Sequence, residues 1–171
     1  MEELGEATRF YSIDTSALID LKRLYPRVTF PGLWERIEVM VGDGRLIAAA
    51  EVLAELEQKD DDLVHWARGQ TRLFVPWSSE LVEAAQDVIR RFPGICDPNK
   101  TIPDADPFVI AAAWLASQEP TTDLFAAGTK WAVVTTERSI QGVRIPGVCN
   151  AVGLECLDLR NFFEYEGWVL H

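Results

Sequence analysis

Arg9-Phe10-Tyr11-Ser12-Ile13-Asp14-Thr15-Ser16-Ala17-Leu18-Ile19 is the stretch that decides the fold. Its first five residues are aromatic and β-prone and end on an acid, which reads as a strand. Thr15-Ser16 then opens a helical pattern through Leu18, Ile19, Leu21 and Leu24 that stops at Tyr25-Pro26, because the residue before a proline is driven out of the helical region. A strand that hands its last carboxylate directly to a helix start is the junction of a β–α unit.

The same alternation continues outward. Pro31 suits a first helical turn, and Leu33, Trp34, Ile37, Met40 and Val41 follow at helical spacing until Gly42-Asp43-Gly44 turns the chain. Residues 46–48 form a short apolar strand. Residues 51–68 read as one long helix, with Val52, Leu53, Leu56, Leu63, Val64 and Ala67 on one side and Asp60-Asp61-Asp62 as the point where it could break. A strand at 73–75, a helix from Ser78/Ser79 to Arg91 and a loop over 95–103 come next. The apolar helix 107–117, the strand 131–134, a short helix from Ile145, a strand at 154–157 and a helix at 159–165 complete the chain. The strands are apolar throughout rather than alternating, as expected when both sheet faces are covered. The pattern predicts one α/β domain over residues 1–171, with a mostly parallel sheet between helix layers and no repeat, low-complexity tract or linker.

Composition narrows the function classes. The chain has 171 residues, 16 Lys+Arg against 27 Asp+Glu and a net charge of −11, with 48% hydrophobic and 25% charged residues, as in an ordinary globular domain. No apolar run approaches the ~20 residues of a membrane span. Glu2, Glu3 and Glu6 at the N-terminus, without a basic segment, exclude a secretory signal and lead us to expect a cytoplasmic protein. Three cysteines do not make a disulfide framework, and Cys149 and Cys156, with no paired His, read as small core residues. The acidity excludes a broad electrostatic footprint for nucleic acid. Acid concentrated at one place would instead point to a divalent metal.

Four acids fall where α/β sheets gather ligands, at strand carboxyl ends or the helix starts beyond them. Asp14 follows the first strand, Asp106 precedes the apolar helix at Pro107, Glu137 lies past the 131–134 strand, and Glu55 sits on the helix after the second strand between Val52 and Leu56. Two carboxylates ~4 Å apart repel by about 4 kcal/mol at an effective dielectric near 20, so a converging cluster needs protons or a cation. Hard cations such as Mg²⁺ and Mn²⁺ take all-oxygen sites. Each acid also has an ordinary reading. Asp14 and Asp106 are good helix caps, the latter with Pro107 in the first helical position; Glu55 alone is a solvated helix residue and Glu137 a turn residue. Among the remaining features, Gly128-Thr129-Lys130 lacks the upstream glycine of a phosphate loop, and His65 is a surface or interface histidine. The six tryptophans, 34, 66, 77, 114, 131 and 168, read mostly as core or interface residues, with Trp66 and Trp77 also candidates to stack on bases. Lys22-Arg23 with Arg27, Arg68 with Arg72, Arg90-Arg91, and Lys100 read for the most part as an ordinary mixed surface, with some of them candidates to flank an acidic mouth.

The blocks Ile13-Asp14-Thr15-Ser16-Ala17-Leu18-Ile19, Glu51-Val52-Leu53-Ala54-Glu55-Leu56, Asp104-Ala105-Asp106-Pro107-Phe108-Val109-Ile110-Ala111-Ala112 and Val133-Val134-Thr135-Thr136-Glu137, in that order, resemble the PIN-domain family. The ending, Ile145-Pro146-Gly147-Val148-Cys149 through Gly153 to Gly167-Trp168, looks like an uncharacterised branch of PIN-like proteins. The resemblance implies a three-layer α/β/α fold with a central parallel sheet. It implies an acidic pocket for one or two Mg²⁺ or Mn²⁺ ions, in which Asp14, Glu55, Asp106 and Glu137 match the metal-binding acids. Thr15, Ser16 and Thr135 match the supporting polar residues, and Asp104 is an extra acid beside them. Many members carry Asp at the position of Glu137.

The activity it implies is metal-dependent endoribonuclease hydrolysis of RNA phosphodiesters, in which metal lowers the pKa of bound water and no Ser, His or Cys nucleophile is needed. Many small members are toxins of toxin–antitoxin pairs, which makes RNA the expected substrate and an antitoxin protein and a second copy of the chain the candidate partners. Trp168-Val169-Leu170 is a candidate apolar patch for the homodimer. Two rival readings use the same residues: a non-catalytic PIN-like interaction module, and a metal-dependent nuclease or phosphatase acting on another substrate.

Overall fold

The computed structural model describes residues 7–119, 128–138 and 143–170. In chain order its elements are β1 (Arg9–Ile13), α1 (Thr15–Leu24), α2 (Pro31–Gly42), β2 (Leu46–Ala49), α3 (Ala50–Glu57), α4 (Asp61–Gly69), β3 (Phe74–Val75), α5 (Ser79–Arg91), α6 (Asp106–Gln118), β4 (Lys130–Val134), α7 (Ile145–Val152), β5 (Glu155–Leu157) and α8 (Leu159–Tyr165). The five strands form one sheet in the order β3-β2-β1-β4-β5, and every pairing is parallel. From β1 the chain winds outward through β2 and β3, then returns to the other side of β1 with β4 and β5. The order therefore reverses between β1 and β4, and the crevice beyond their carboxyl ends is where an open α/β sheet receives ligands.

Neighbouring residues on a strand point to opposite faces, and β1 shows what covers each. Tyr11 is fully buried against Phe162 of α8, with ring centroids 4.6 Å apart, and donates its hydroxyl proton to Glu166 at 2.7 Å. Ser12, one residue on, donates to the carbonyl of Val109 in α6 at 2.8 Å. Helices on both faces make the three-layer α/β/α fold. Leu18, Leu21, Ile37, Leu46, Ile110, Val133 and Val134 are all but sealed from solvent within it. Among the described residues no helix is long and apolar enough to cross a membrane.

The 51–68 segment is two helices, α3 and α4, because Asp60 takes the cap position of α4 and accepts from the Leu63 amide at 3.0 Å. Lys22 of α1 fixes that carboxylate at 2.5 Å, so part of the Asp60-Asp61-Asp62 run is a structural joint, while Asp62 stays exposed. At the end of α7, Gly153 adopts φ +78°, a backbone region that a side chain would strain, and turns the chain into β5. The 168–170 tail is not the free apolar patch that its composition suggests. Trp168 stacks on Phe163 with centroids 5.8 Å apart, Leu170 packs on the core, and only Val169 is exposed.

Candidate functional site

Asp14 stands at the point where the strand order reverses. Its amide donates to the carbonyl of Val134, the last residue of β4, at 3.0 Å, so the ends of β1 and β4 are joined there. Its carboxylate is almost completely buried and accepts the Ala17 amide at 2.7 Å, capping α1. The same carboxylate takes the hydroxyl protons of Ser16 at 2.8 Å and Thr135 at 2.6 Å. The cap reading and the site reading of Asp14 therefore both hold. Burial pushes the Asp14 carboxyl up to about 6, against the opposing effect of those three donors, and the nearby charge of Glu137 adds to the rise.

Asp106 does not cap its helix. α6 begins at Asp106 itself, and Ala105, in the cap position, has helical dihedrals (φ −73°, ψ −30°) and no capping side chain. The reason lies upstream: Ala105 is held by its own amide, which donates to Glu55 at 3.2 Å. The Asp106 carboxylate has no hydrogen-bond partner among the described residues and faces the cavity. Burial first, and then the charges of Glu137, Asp14 and Glu55, push it up to about 7.

Glu55 arrives from α3, buried to 4% exposure rather than solvated. Its Oε2 accepts from Thr15 at 2.6 Å and its Oε1 from Lys100 at 2.7 Å. Although burial opposes it, Lys100, Thr15 and the Ala105 amide hold the Glu55 carboxyl below its ordinary value. Glu137 follows β4 on a turn in which its amide donates to Thr135 Oγ1 at 3.1 Å. Its carboxylate reaches the start of α7 and accepts from the Ile145 amide at 3.2 Å, with Arg144 3.7 Å away. Asp104 pairs with Lys100 and accepts from the Asp97 amide at 2.7 Å.

All five acids, with Thr15 and Ser16, line one cavity of about 420 Å³. Its wall carries six acids, Asp97 included, against three cations, Lys59, Lys100 and Arg144. Among the described residues, no three His, Cys, Asp or Glu side chains already stand as a set that could hold one ion. The hydrogen bonds give the physical reason: Asp14, Glu55 and Glu137 are each turned toward donors of the protein. The donor chemistry still fits a hard divalent cation. The ligands are all oxygens, Asp106 is unpaired among the described residues, and its carboxyl is lifted by burial and then by three neighbouring negative charges, the last being an electrostatic demand that a cation would meet.

That imbalance has a measurable pH signature. Unfolded aspartates ionise near ~3.9, so between that pH and the folded values of about 6 and about 7 the native state holds protons that the unfolded state has lost. The metal-free protein is expected to lose stability as pH rises from 5 to 8, with a fall in Tm on the order of 5 °C. Melts in EDTA across that range test this, and a Tm that rises with pH there would show that the acids are not coupled in the way described.

Of the basic groups singled out in the sequence, Lys100 lines the cavity, while Lys22, Arg68 and Arg90 pair with Asp60, Glu57 and Asp87 elsewhere. Trp66 is not available to stack on bases: it is buried edge-on against Trp34 and donates to Glu38 at 2.9 Å. Trp77 remains 63% exposed, its ring stacked beside Phe108. Glu51, in the first turn of α3, is a buried acid that sequence reading passed over. Neither of its carboxylate oxygens has a partner among the described residues, and burial raises its carboxyl. It is outside the cavity lining. The available signal was its position among Ala50, Val52 and the apolar end of β2.

Fold and site together define an α/β/α protein with a carboxylate-lined cavity where its strand order reverses. The chain belongs to the DUF4411 family, a domain of unknown function, whose sequence model matches residues 11–170. No curated protein matches the sequence.

Proposed function

We propose that the chain is a PIN-like, Mg²⁺- or Mn²⁺-dependent endoribonuclease in which Asp14, Asp106, Glu137 and Glu55 are the metal-site acids. The observation that carries this reading is the convergence of four acids from four separate elements on one cavity, with Asp106 left unpaired among the described residues and pushed up to about 7 by burial first and then by the charges of the others. Structural carboxylates are normally paired or solvated; a buried acid facing like charges in a cleft is a functional-site signature.

A bound divalent ion would supply activated water and charge neutralisation at the scissile phosphate. The chain's own residues do the rest. Ser16 and Thr135 hold the Asp14 carboxylate in one orientation, and Thr135 also ties down the Glu137 amide. Lys59 and Arg144 at the cavity wall place positive charge where a phosphate backbone would approach the acids. A role as the toxin of a toxin–antitoxin pair, with an antitoxin and a homodimeric partner, rests on the family resemblance alone.

A second reading, the non-catalytic interaction module, is favoured by one observation: Lys100 already neutralises Glu55, so one of the four acids is spoken for. Incubation of the purified chain with a mixed pool of labelled RNA separates the two. Cleavage in Mn²⁺ that stops in EDTA is expected. Intact RNA in Mn²⁺, from protein that binds the ion, would reject the ribonuclease reading and direct the search to DNA or phosphomonoesters. Intact RNA with no ion bound would favour the interaction module.

A further inference from the structure

We propose that Lys100 is a built-in cation standing where a second divalent ion would otherwise be needed, so that the pocket takes a single ion on its Asp14–Asp106–Glu137 side. The inference deepens the metal-site reading above and rests on it.

The cavity has two unlike halves. On one side, the Lys100 ammonium bridges Glu55, at 2.7 Å, and Asp104. Every oxygen of those two carboxylates is then engaged by the protein: Glu55 Oε2 by Thr15, Glu55 Oε1 by Lys100 and the Ala105 amide, Asp104 Oδ1 by Lys100 and Asp104 Oδ2 by the Asp97 amide. On the other side, Asp14, Asp106 and Glu137 bring three carboxylates. Among the described residues, Asp14 and Glu137 are met by neutral hydroxyl and amide donors, and the cation beside them is Arg144, 3.7 Å from one oxygen of Glu137. Among the described residues, the need for positive charge is met on the first side by an ammonium held between two carboxylates, and on the second only by the exposed Arg144 beside Glu137.

Lys100 is held in place for this task. The Asp97 amide closes the loop onto Asp104, Asp97 Oδ1 accepts from the Asn99 amide at 2.9 Å, and the Lys100 amide donates to the Asp97 carbonyl at 3.2 Å. The turn therefore presents the Lys100 side chain inward, and two-thirds of it is shielded from solvent. A divalent ion beside Glu55 would have to displace an ammonium that two carboxylates already hold, or sit against it. A monovalent ammonium also cannot be removed by chelation, which keeps half of the acidic cluster compensated whatever the metal supply.

Mn²⁺ titration followed by electron paramagnetic resonance of the free ion, on the full chain and its Lys100→Met, Lys100→Arg and Asp106→Asn variants, tests this without any activity assay. One ion per chain is expected for the wild type and Lys100→Arg, and two for Lys100→Met, the second replacing the lost ammonium. Asp106→Asn is expected to weaken the wild-type ion at least tenfold. Two ions bound by the wild type, or one ion at unchanged affinity in a Lys100→Met protein whose circular dichroism is native, overturns the assignment of Lys100 and leaves the metal site standing. If Lys100→Met does not fold in the apo form, recovery of its native spectrum on adding Mn²⁺ supports the proposal, and failure to recover overturns it. No ion bound by any variant overturns the metal reading and the Lys100 proposal with it.

Discussion

Asp106→Asn is expected to abolish Mn²⁺-dependent RNA cleavage and, in the same protein, to raise the melting temperature measured in EDTA. Both effects come from one property of the residue. Its carboxylate has no hydrogen-bond partner among the described residues, and burial first, then the charges of Glu137, Asp14 and Glu55, push it up to about 7. At pH 8 it is nevertheless ionised, so folding must bring a fourth negative charge into the cluster. The amide is nearly isosteric and carries no charge. Removing that repulsion should stabilise the apo protein by about 1–3 kcal/mol, equivalent to a rise in Tm on the order of 5 °C. Activity moves the other way, because the neutral amide is a poor ligand for a hard cation. A fall in kcat/KM of about 10³-fold or more, ~4 kcal/mol of transition-state stabilisation, is expected. Stability gained as function is lost is the behaviour of a group kept for chemistry rather than for folding. Thermal melts in EDTA beside a labelled-RNA time course measure both quantities. A variant that is less stable and still active would mean that Asp106 is a structural residue.

How much of this was legible in the sequence depends on how local the determining contact is. Asp14 is readable because its strand end and its helix start are adjacent in the chain, so one short stretch specifies both cap and site. The parallel sheet is readable for a related reason: short apolar strands separated by helices can satisfy both of their faces only between two layers. Asp106 was readable as a site acid, but the failure of its other reading, the helix cap, was not. Asp before Pro promises a cap, and what displaces it is the Ala105 amide bonded to Glu55, 50 residues earlier in the chain. Lys100 shows the same limit more strongly. In the sequence it is a lysine in a loop with Pro98 and Asn99; its pairing with Glu55 exists only once α3 and that loop meet on the same side of the sheet. The break between α3 and α4 was visible as a run of acids, but the Lys22 contact that fixes it was not. Trp66 was left between core and base-stacking surface, and the Trp168 tail read as an open patch, because an aromatic residue carries no local mark of which surface it will be buried against. Buried acids such as Glu51 are invisible to patterning for the same reason.

Asp14 should respond differently from Asp106, and the contrast between two substitutions separates its two roles. Asp14→Asn keeps an oxygen for the Ala17 amide and removes the charge that burial has made costly. At pH 8 in EDTA its stability is expected to equal or exceed that of the wild type. Asp14→Ala removes the same charge but also the cap of α1, and leaves the Ser16 and Thr135 hydroxyls without their shared acceptor. A lost side-chain cap costs about 1 kcal/mol, and stranded buried donors add to that, so the Ala variant should be about 1–3 kcal/mol less stable than the Asn variant. Both should lose the stabilisation by Mn²⁺ expected of the wild type, about 2.7 kcal/mol at 100 times the dissociation constant for an ion that binds only the native state. Denaturant melts of the three proteins with and without Mn²⁺ read all of these differences. Equal stability of the Asn and Ala variants would mean that the capping bond contributes nothing measurable. A retained Mn²⁺ response in both would remove Asp14 from the metal site and leave it as a cap. The result expected from the geometry is that one carboxylate, fixed by Thr135 just beyond β4 and by the first turn of α1, both closes the fold at its point of strand reversal and supplies a ligand there. That coupling places the acid with the accuracy of the fold itself, since β1 and β4 cannot pair in register without bringing Asp14 and Thr135 together.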